Sequence, residues 1–279
     1  MGDVWSLSGE TPQIWHTTLG SPANPPLLLL HSLVSCHLEF TPLLPDLRDT
    51  FFIILVDLPG HSRSPYPPLT TTNLTQTVDA LASLVRSVTP KGKAHVAGIS
   101  YGGFVGLELA RRYPGVVMSL FVSGATPFAG LQAMLVRWPR VLWSAAAMLV
   151  YLPDVVVGGL YRSIGVTVSD ELRAEMRANL SVELLRTGYG DVAEITMRDI
   201  AQVKGVRTAV VAGGKQDDVP ATAKMGRVLR EGSDGMACQA FVVRKAYHGW
   251  DLQFPKVFAQ GITAWVEERA MPSEYEELL

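Results

Sequence analysis

Cysteine is scarce in this chain: Cys36 and Cys238 are the only two in 279 residues. Two distant thiols build neither a disulfide scaffold nor a cysteine-rich metal cluster, and they are expected to be free in a reducing compartment. Charge excess of either sign is missing as well. With 24 basic and 26 acidic residues the formal net charge is -2, so nothing asks for nucleic acid or an anionic membrane surface. The opening stretch Met1-Gly2-Asp3-Val4-Trp5-Ser6 has no basic patch leading into an apolar run, so no secretory signal is visible. One apolar run, Val141 to Tyr151, is cut off by Pro153 and Asp154 and is too short for a straight span of a bilayer. It reads as a lid or pocket helix. The expectation is a cytoplasmic protein with no stable membrane insertion.

What is plentiful is core-forming material. Hydrophobic residues make up 48% and charged residues 18%, which suits a large folded domain, alone or with an insertion. Two weak strand candidates, Val4–Leu7 and Gln13–Thr17, flank the turn-like Ser8-Gly9-Glu10-Thr11-Pro12. Leu27–Leu30 is apolar at every position, as in a strand buried on both faces of a parallel sheet. Similar runs recur at Phe51–Val56, Ala94–Ala97, Val116–Val122, Arg207–Ala212 and Met236–Val243. Helical patterns separate several of them, including Leu74, Val78, Leu81, Leu84 and Val85 on one face. The fold class is therefore α/β, a mainly parallel sheet flanked by helices.

The alternation fails between residues 127 and 198. That stretch carries Met134, Trp138, Trp143, Met148, Tyr151 and Tyr161, then a charged helical segment from Asp170 to Arg177. It divides the chain into a first core part (1–126), a helical insertion (127–198) and a second core part (199–279).

Gly98-Ile99-Ser100-Tyr101-Gly102 supplies the chemistry. Glycine two residues either side of a serine suits a sharp turn from strand to helix that lifts the hydroxyl out of the sheet. A serine needs a base, and the base needs a group that fixes its tautomer. After Ser100 the chain has one histidine, His248, just past the Met236–Val243 run. A carboxylate belongs in the loop after the preceding strand, Gly213-Gly214-Lys215-Gln216-Asp217-Asp218. Asp217 has the preferred spacing there and Asp218 stays open as its rival. The loop after the strand before that, Ser123-Gly124-Ala125-Thr126-Pro127, has no carboxylate. An oxyanion hole needs backbone N–H groups, and those of Tyr101 and Leu33 are the candidates.

These segments resemble the α/β-hydrolase superfamily from about Leu27 to Trp265. Leu28-Leu29-Leu30-His31-Ser32 is similar to that family's strand followed by His-Gly, with Ser32 for glycine. Asp57-Leu58-Pro59-Gly60-His61-Ser62-Arg63-Ser64 is similar to its D-x-P-G-x-G-x-S loop, with Ser62 for glycine. The elbow, the Gly214–Pro220 acid loop and Tyr247-His248-Gly249-Trp250 match it too. The resemblance implies a serine hydrolase in which Ser100 is the nucleophile, His248 the base and Asp217 its partner, beneath a helical cap.

His31 and Asp57 are expected to order their own loops, and His95 to be packed in its strand. The cap's aromatics and methionines suggest an apolar pocket for a small to medium hydrophobic ester, lactone or C–C substrate, while most of them are expected only to pack the cap to the core. Ser32 after His31 points faintly to lactones, since enol-lactone hydrolases often lack His-Gly there. The family also hosts C–C bond hydrolases, lyases and ligand-binding receptors with slow turnover. No cofactor and no metal are expected, and a homodimer is left open.

Overall fold

Leu27 to Leu30 have no solvent exposure at all, because the strand that holds them lies inside a sheet covered on both faces. The computed structural model describes residues 13–66, 73–233 and 235–278. Along the chain come β1 (His16–Leu19), β2 (Pro26–Leu30) and a 3-10 turn (His37–Leu43) running into α1 (Leu44–Leu47). Then follow β3 (Phe52–Val56), α2 (Leu74–Val88), β4 (Ala94–Ile99), α3 (Tyr101–Arg112) and β5 (Val117–Ser123). A helical stretch holds α4 (Gly130–Leu135), α5 (Pro139–Tyr151), α6 (Asp154–Ser163), α7 (Asp170–Asn179), α8 (Val182–Ala193) and α9 (Met197–Ile200). The alternation resumes with β6 (Arg207–Gly213), α10 (Val219–Gly232), β7 (Cys238–Val243), α11 (Trp250–Gln253), α12 (Pro255–Val266) and β8 (Glu276–Leu278).

Among the described residues the sheet has eight strands in the order β1-β3-β2-β4-β5-β6-β7-β8. β1 and β8 pair antiparallel at the two edges, and the strands between them are parallel. Alternate residues feed two cores, as the pleat requires. Leu28, Leu30, Val96 and Val122 join the side chains of α2, α3 and α10 on one face. Leu27, Leu29, Ala97 and Phe121 join α12 and the 3-10 turn on the other. The strands buried on both faces are the ones the sequence marks as largely apolar runs.

The differences from expectation lie at the edges. The strand expected at Gln13–Thr17 falls at His16–Leu19, where it pairs His16 with Val56 and Leu19 with Ile53. The run expected to start at Met236 starts at Cys238, because Met236 closes a turn onto the Ser233 carbonyl. The short edge strand β8 has little apolar signal and was not expected. The Val4–Leu7 candidate lies outside the described residues. Both cysteines are buried and free. Among the described residues no helix is long and apolar enough to cross a membrane.

The segment between β5 and β6 is helical, and most of the aromatics and methionines named in it pack between helices or face outward. The inner face of α5, Leu142, Trp143, Ala146, Ala147 and Val150, packs against Val34, Leu180, Leu184 and Leu185. Its other face, with Val141, Met148 and Tyr151, is exposed, as are Met134 and Trp138 beside it. The apolar side chains of α5 serve helix-to-helix packing or face outward, and none of them lines the cavity beside Ser100.

Candidate active site

The chain leaves β4 at Ile99 and enters α3 at Tyr101, so Ser100 must make the whole turn alone. It does so at φ 54° and ψ -119°, a left-handed conformation costly for any side chain. Gly98 and Gly102 make the turn sterically feasible. A Cβ on Gly98 would collide with the Gly102 carbonyl, and one on Gly102 with the Leu30 carbonyl. The turn is tied to the next strand by the Ser100 amide, which donates to the Ser123 carbonyl at 2.8 Å.

Loops at the carboxyl ends of the parallel strands line one cavity with Ser100. His248 sits after β7 and Asp217 after β6. The His248 Nδ1 lies 2.6 Å from Asp217 Oδ1, and Asp217 Oδ2 accepts the Gly213 amide at 2.7 Å. The carboxylate is thus aimed by backbone at one end and aims the imidazole at the other. Asp218 does different work. It caps α10 by accepting the Ala221 amide at 2.8 Å. The desolvation around His248 would depress its pKa. The hydrogen bond and charge of Asp217, joined by the charge of Glu39, outweigh this and raise it above 6.5.

Gly124, in the loop without a carboxylate, is the fourth wall. Its φ is +63°, and a Cβ there would lie 2.7 Å from His248 Cε1. The imidazole therefore rests against bare backbone. Nearby, the Trp250 indole donates to Ser123 Oγ at 2.8 Å, which anchors the residues just after His248.

The loop after β2 is clamped along its length. His31 Nδ1 donates to the Ser32 carbonyl at 2.8 Å, and His31 Nε2 accepts the Leu58 amide at 2.9 Å. His61 Nε2 accepts the Val34 amide at 3.1 Å. Burial lowers the pKa of His31 to about 4 and that of His61 to about 3, so both stay neutral and can accept. Glu39 takes the Ser32 amide and hydroxyl, each at 2.7 Å. The Ser35 amide turns back onto the Ser32 carbonyl at 3.1 Å. Leu33 alone of these four residues keeps an N–H without a partner among the described residues, and its side chain lines the cavity beside Ser100. At Tyr101 the amide heads α3, where no intrahelical acceptor exists.

The cavity has a volume of about 250 Å³. Ser100, His248 and Asp217 open into it. Its wall also includes Phe104, Thr126, Phe128, Gln132, Tyr189 and Val192, with Gln216 and Asp218 at the acid loop. The cap aromatics Trp138, Trp143, Tyr151 and Tyr161 are not part of its lining; α8 and the start of α4 cover it instead.

Two further residues escape sequence reasoning. Asn179, at the end of α7, donates to the Val34 and Ser35 carbonyls at 3.2 and 2.8 Å and accepts the Ser62 amide at 2.7 Å. Val34 and Ser62 both have positive φ, 71° and 42°, so one amide side chain holds two strained turns and ties the helical segment to the sheet. Glu39 is the second. Its only sequence signal is a lone carboxylate in an apolar stretch.

His95, as expected, is packed: its Nδ1 is 2.8 Å from Ser119 Oγ inside the sheet. Cys36, His37 and Asp57 bring potential ligand atoms within 4.8 Å of one another. However, Asp57 is already engaged by the His37 amide and ring and by the Arg63 amide. Burial also pushes the Cys36 thiol up to about 12. This corner is a hydrogen-bonded latch, as expected of Asp57, and we assign no metal to it.

Comparison with known proteins places these features in context. Residues 25–149 match the family model for the alpha/beta hydrolase fold. An AB hydrolase superfamily protein of Gibberella zeae is 26% identical over 92% of this chain and 85% of its own length. A pimeloyl-[acyl-carrier protein] methyl ester esterase of Methylococcus capsulatus is 35% identical, over 38% of this chain and 39% of that protein. Among solved structures, the enol-lactonase from Burkholderia xenovorans superposes with a TM-score of 0.68 at 17% identity, covering 91% of this chain and 96% of that one.

Proposed function

We propose, from the premise that the chain belongs to the α/β-hydrolase superfamily and is a hydrolase, that it cleaves an ester or lactone bond of a small, uncharged, hydrophobic substrate through a Ser100–His248–Asp217 triad. One observation carries the reading. A serine on a strained turn and an imidazole already oriented by a carboxylate at 2.6 Å open into the same small cavity.

In this mechanism His248 takes the Ser100 proton as the hydroxyl attacks the carbonyl carbon. The Tyr101 and Leu33 amides receive the developing oxyanion. Asp217 stabilises the imidazolium and holds its tautomer. His248 then hands the proton to the leaving alcohol or enol oxygen. Water, activated by the same imidazole, releases the acid from Ser100. Serine rather than aspartate at the elbow supports acyl transfer to water.

The cavity supports the substrate class. Besides the triad and Asp218 its walls carry no charged side chain among the described residues, and Phe104, Phe128 and Val192 present apolar surface. A lysine or arginine to recognise an anionic acyl group is absent from that lining. The small volume suits a short acyl chain or a compact lactone ring. The likeness to an enol-lactonase structure and to an esterase sequence supports both substrate types and separates neither.

The test pairs a panel of short-chain p-nitrophenyl esters and simple lactones with mass spectrometry after a fluorophosphonate. Steady turnover, abolished in Ser100→Ala, with the phosphonyl group on Ser100, is the expected result. Turnover that survives Ser100→Ala removes the assignment. A single burst with no steady phase instead marks a ligand-binding protein on the same fold.

A further inference from the structure

Two buried carboxyls that interact electrostatically have no part in the triad. Glu39, from the 3-10 turn, and Asp251, from α11, are both buried, at 4% and 0% exposure. Glu39 accepts two hydrogen bonds from Ser32, one from the amide and one from the hydroxyl. Both Asp251 oxygens lack a hydrogen-bond partner among the described residues. We propose that Glu39 is a positioning residue of the active site: it clamps Ser32, thereby sets the Leu33 oxyanion donor, and carries the single negative charge of the Glu39–Asp251 pair close to His248.

The distribution of donors decides which carboxyl is charged. A carboxylate with donors on both oxygens is stabilised as the anion, and Glu39 has them on both. Burial pushes its pKa up, and the Ser32 amide and the Ser32 and Ser35 hydroxyls pull it back. Asp251 is pushed up first by burial and then by the charge of Glu39. Two adjacent buried carboxyls do not both ionise, so the proton stays on Asp251. The titratable groups facing Glu39 are Asp251 and His248. Those facing His248 are Asp217 and Glu39. The Glu39 charge therefore favours the imidazolium that forms as Ser100 attacks.

The same clamp accounts for serine where the family has glycine. The Ser32 side chain gives Glu39 its second hydrogen bond, which glycine cannot supply. Stiffening matters here because Val34, two residues on, is β-branched and held at φ 71°. Without an anchor on Ser32, relaxation of that strain would move the Leu33 amide.

The proposal rests on the triad assignment above, so its test includes a readout that needs no turnover. Full-length protein labelled with 15N-histidine is titrated by NMR to follow the His248 ring, and kcat and KM are measured with a p-nitrophenyl ester. Glu39→Gln keeps the size and removes the charge. It lowers the His248 midpoint by at least about 0.5 pH unit. It also lowers kcat roughly ten- to a hundredfold with KM changed less than about threefold. Asp251→Asn replaces one neutral group by another and leaves the midpoint where it is. Ser32→Ala removes one hydrogen bond and no charge, so kcat falls while the midpoint stays.

A midpoint that moves in Asp251→Asn and not in Glu39→Gln overturns the proposal. So does a Ser32→Ala protein with the kcat of the unaltered one, a variant that decides the clamp even if Glu39→Gln does not fold. A protein that hydrolyses no ester, yet whose His248 midpoint falls in Glu39→Gln, retires the substrate assignment and leaves the charge coupling standing.

Discussion

His248 and Asp217, 31 residues apart in the chain, share a 2.6 Å hydrogen bond, while the adjacent Asp218, also at the cavity wall, caps a helix through the Ala221 amide. The two carboxylates therefore respond differently to the same change. Asp217→Asn leaves the geometry near intact and favours the wrong imidazole tautomer, so kcat falls by roughly 10³- to 10⁴-fold. Asp218→Asn keeps kcat within a few-fold, because asparagine caps helices about as well as aspartate. Asp218→Ala loses the cap and lowers stability by about 1 kcal/mol, read by thermal melting. Equal kcat in Asp217→Asn and Asp218→Asn would remove Asp217 from the triad.

The raised His248 pKa sets the pH profile. In the proposed mechanism the acting base is the neutral imidazole, and a raised pKa keeps the proton on to higher pH. Thus kcat/KM climbs through a midpoint above 6.5 and then levels, and Asp217→Asn shifts that midpoint to lower pH. Stability runs the other way. The charged pair contributes most below the unfolded histidine value, and that contribution is lost as pH rises through the folded one. A profile whose acidic limb lies well below 6.5 would contradict the electrostatics described here.

Gly124 is a steric requirement set by the base. Gly124→Ala asks for a left-handed alanine, costing roughly 1 kcal/mol, and sets a methyl against the His248 ring. Displacing the ring by a few tenths of an ångström affects the chemical step more than binding, so kcat falls at least about tenfold with KM little changed. A variant with the kcat of the unaltered protein would mean that the ring does not work from this position.

Asn179 is a stability element. Asn179→Ala strips the Ser62 amide and the Val34 and Ser35 carbonyls of a shared partner in a buried place. The expected loss is about 2 to 4 kcal/mol in urea unfolding. Because Val34 and Ser62 are then free to relax, kcat falls as well. Asn179→Asp retains an acceptor for Ser62 but no donor, and recovers only part of the loss.

Sheet strands and the order of their loops were legible in the sequence, because a strand buried on both faces is apolar at most positions. Leu27–Leu30 and Ala209–Ala212 show this directly. The elbow was legible because close backbone approach admits only glycine at positions 98 and 102. His248 was legible by scarcity, being the last histidine in the chain.

Pocket lining was not legible. Trp138 and Phe128 are equally apolar in sequence, yet one faces outward and the other the cavity, and only helix packing across the 127–198 segment decides between them. The choice between Asp217 and Asp218 needed the loop's backbone, since adjacent side chains diverge. Glu39, Asn179 and Asp251 needed it more: Asn179 bonds to residues 117 and 145 positions away, Glu39 reaches Ser32 only through the path of a loop, and both Asp251 oxygens lack a hydrogen-bond partner among the described residues. Composition and periodicity determined the layers of this protein and the candidates for its chemistry. Which polar atoms meet was decided by the tertiary structure, because a hydrogen bond depends on distances of a few ångströms that no one-dimensional pattern records.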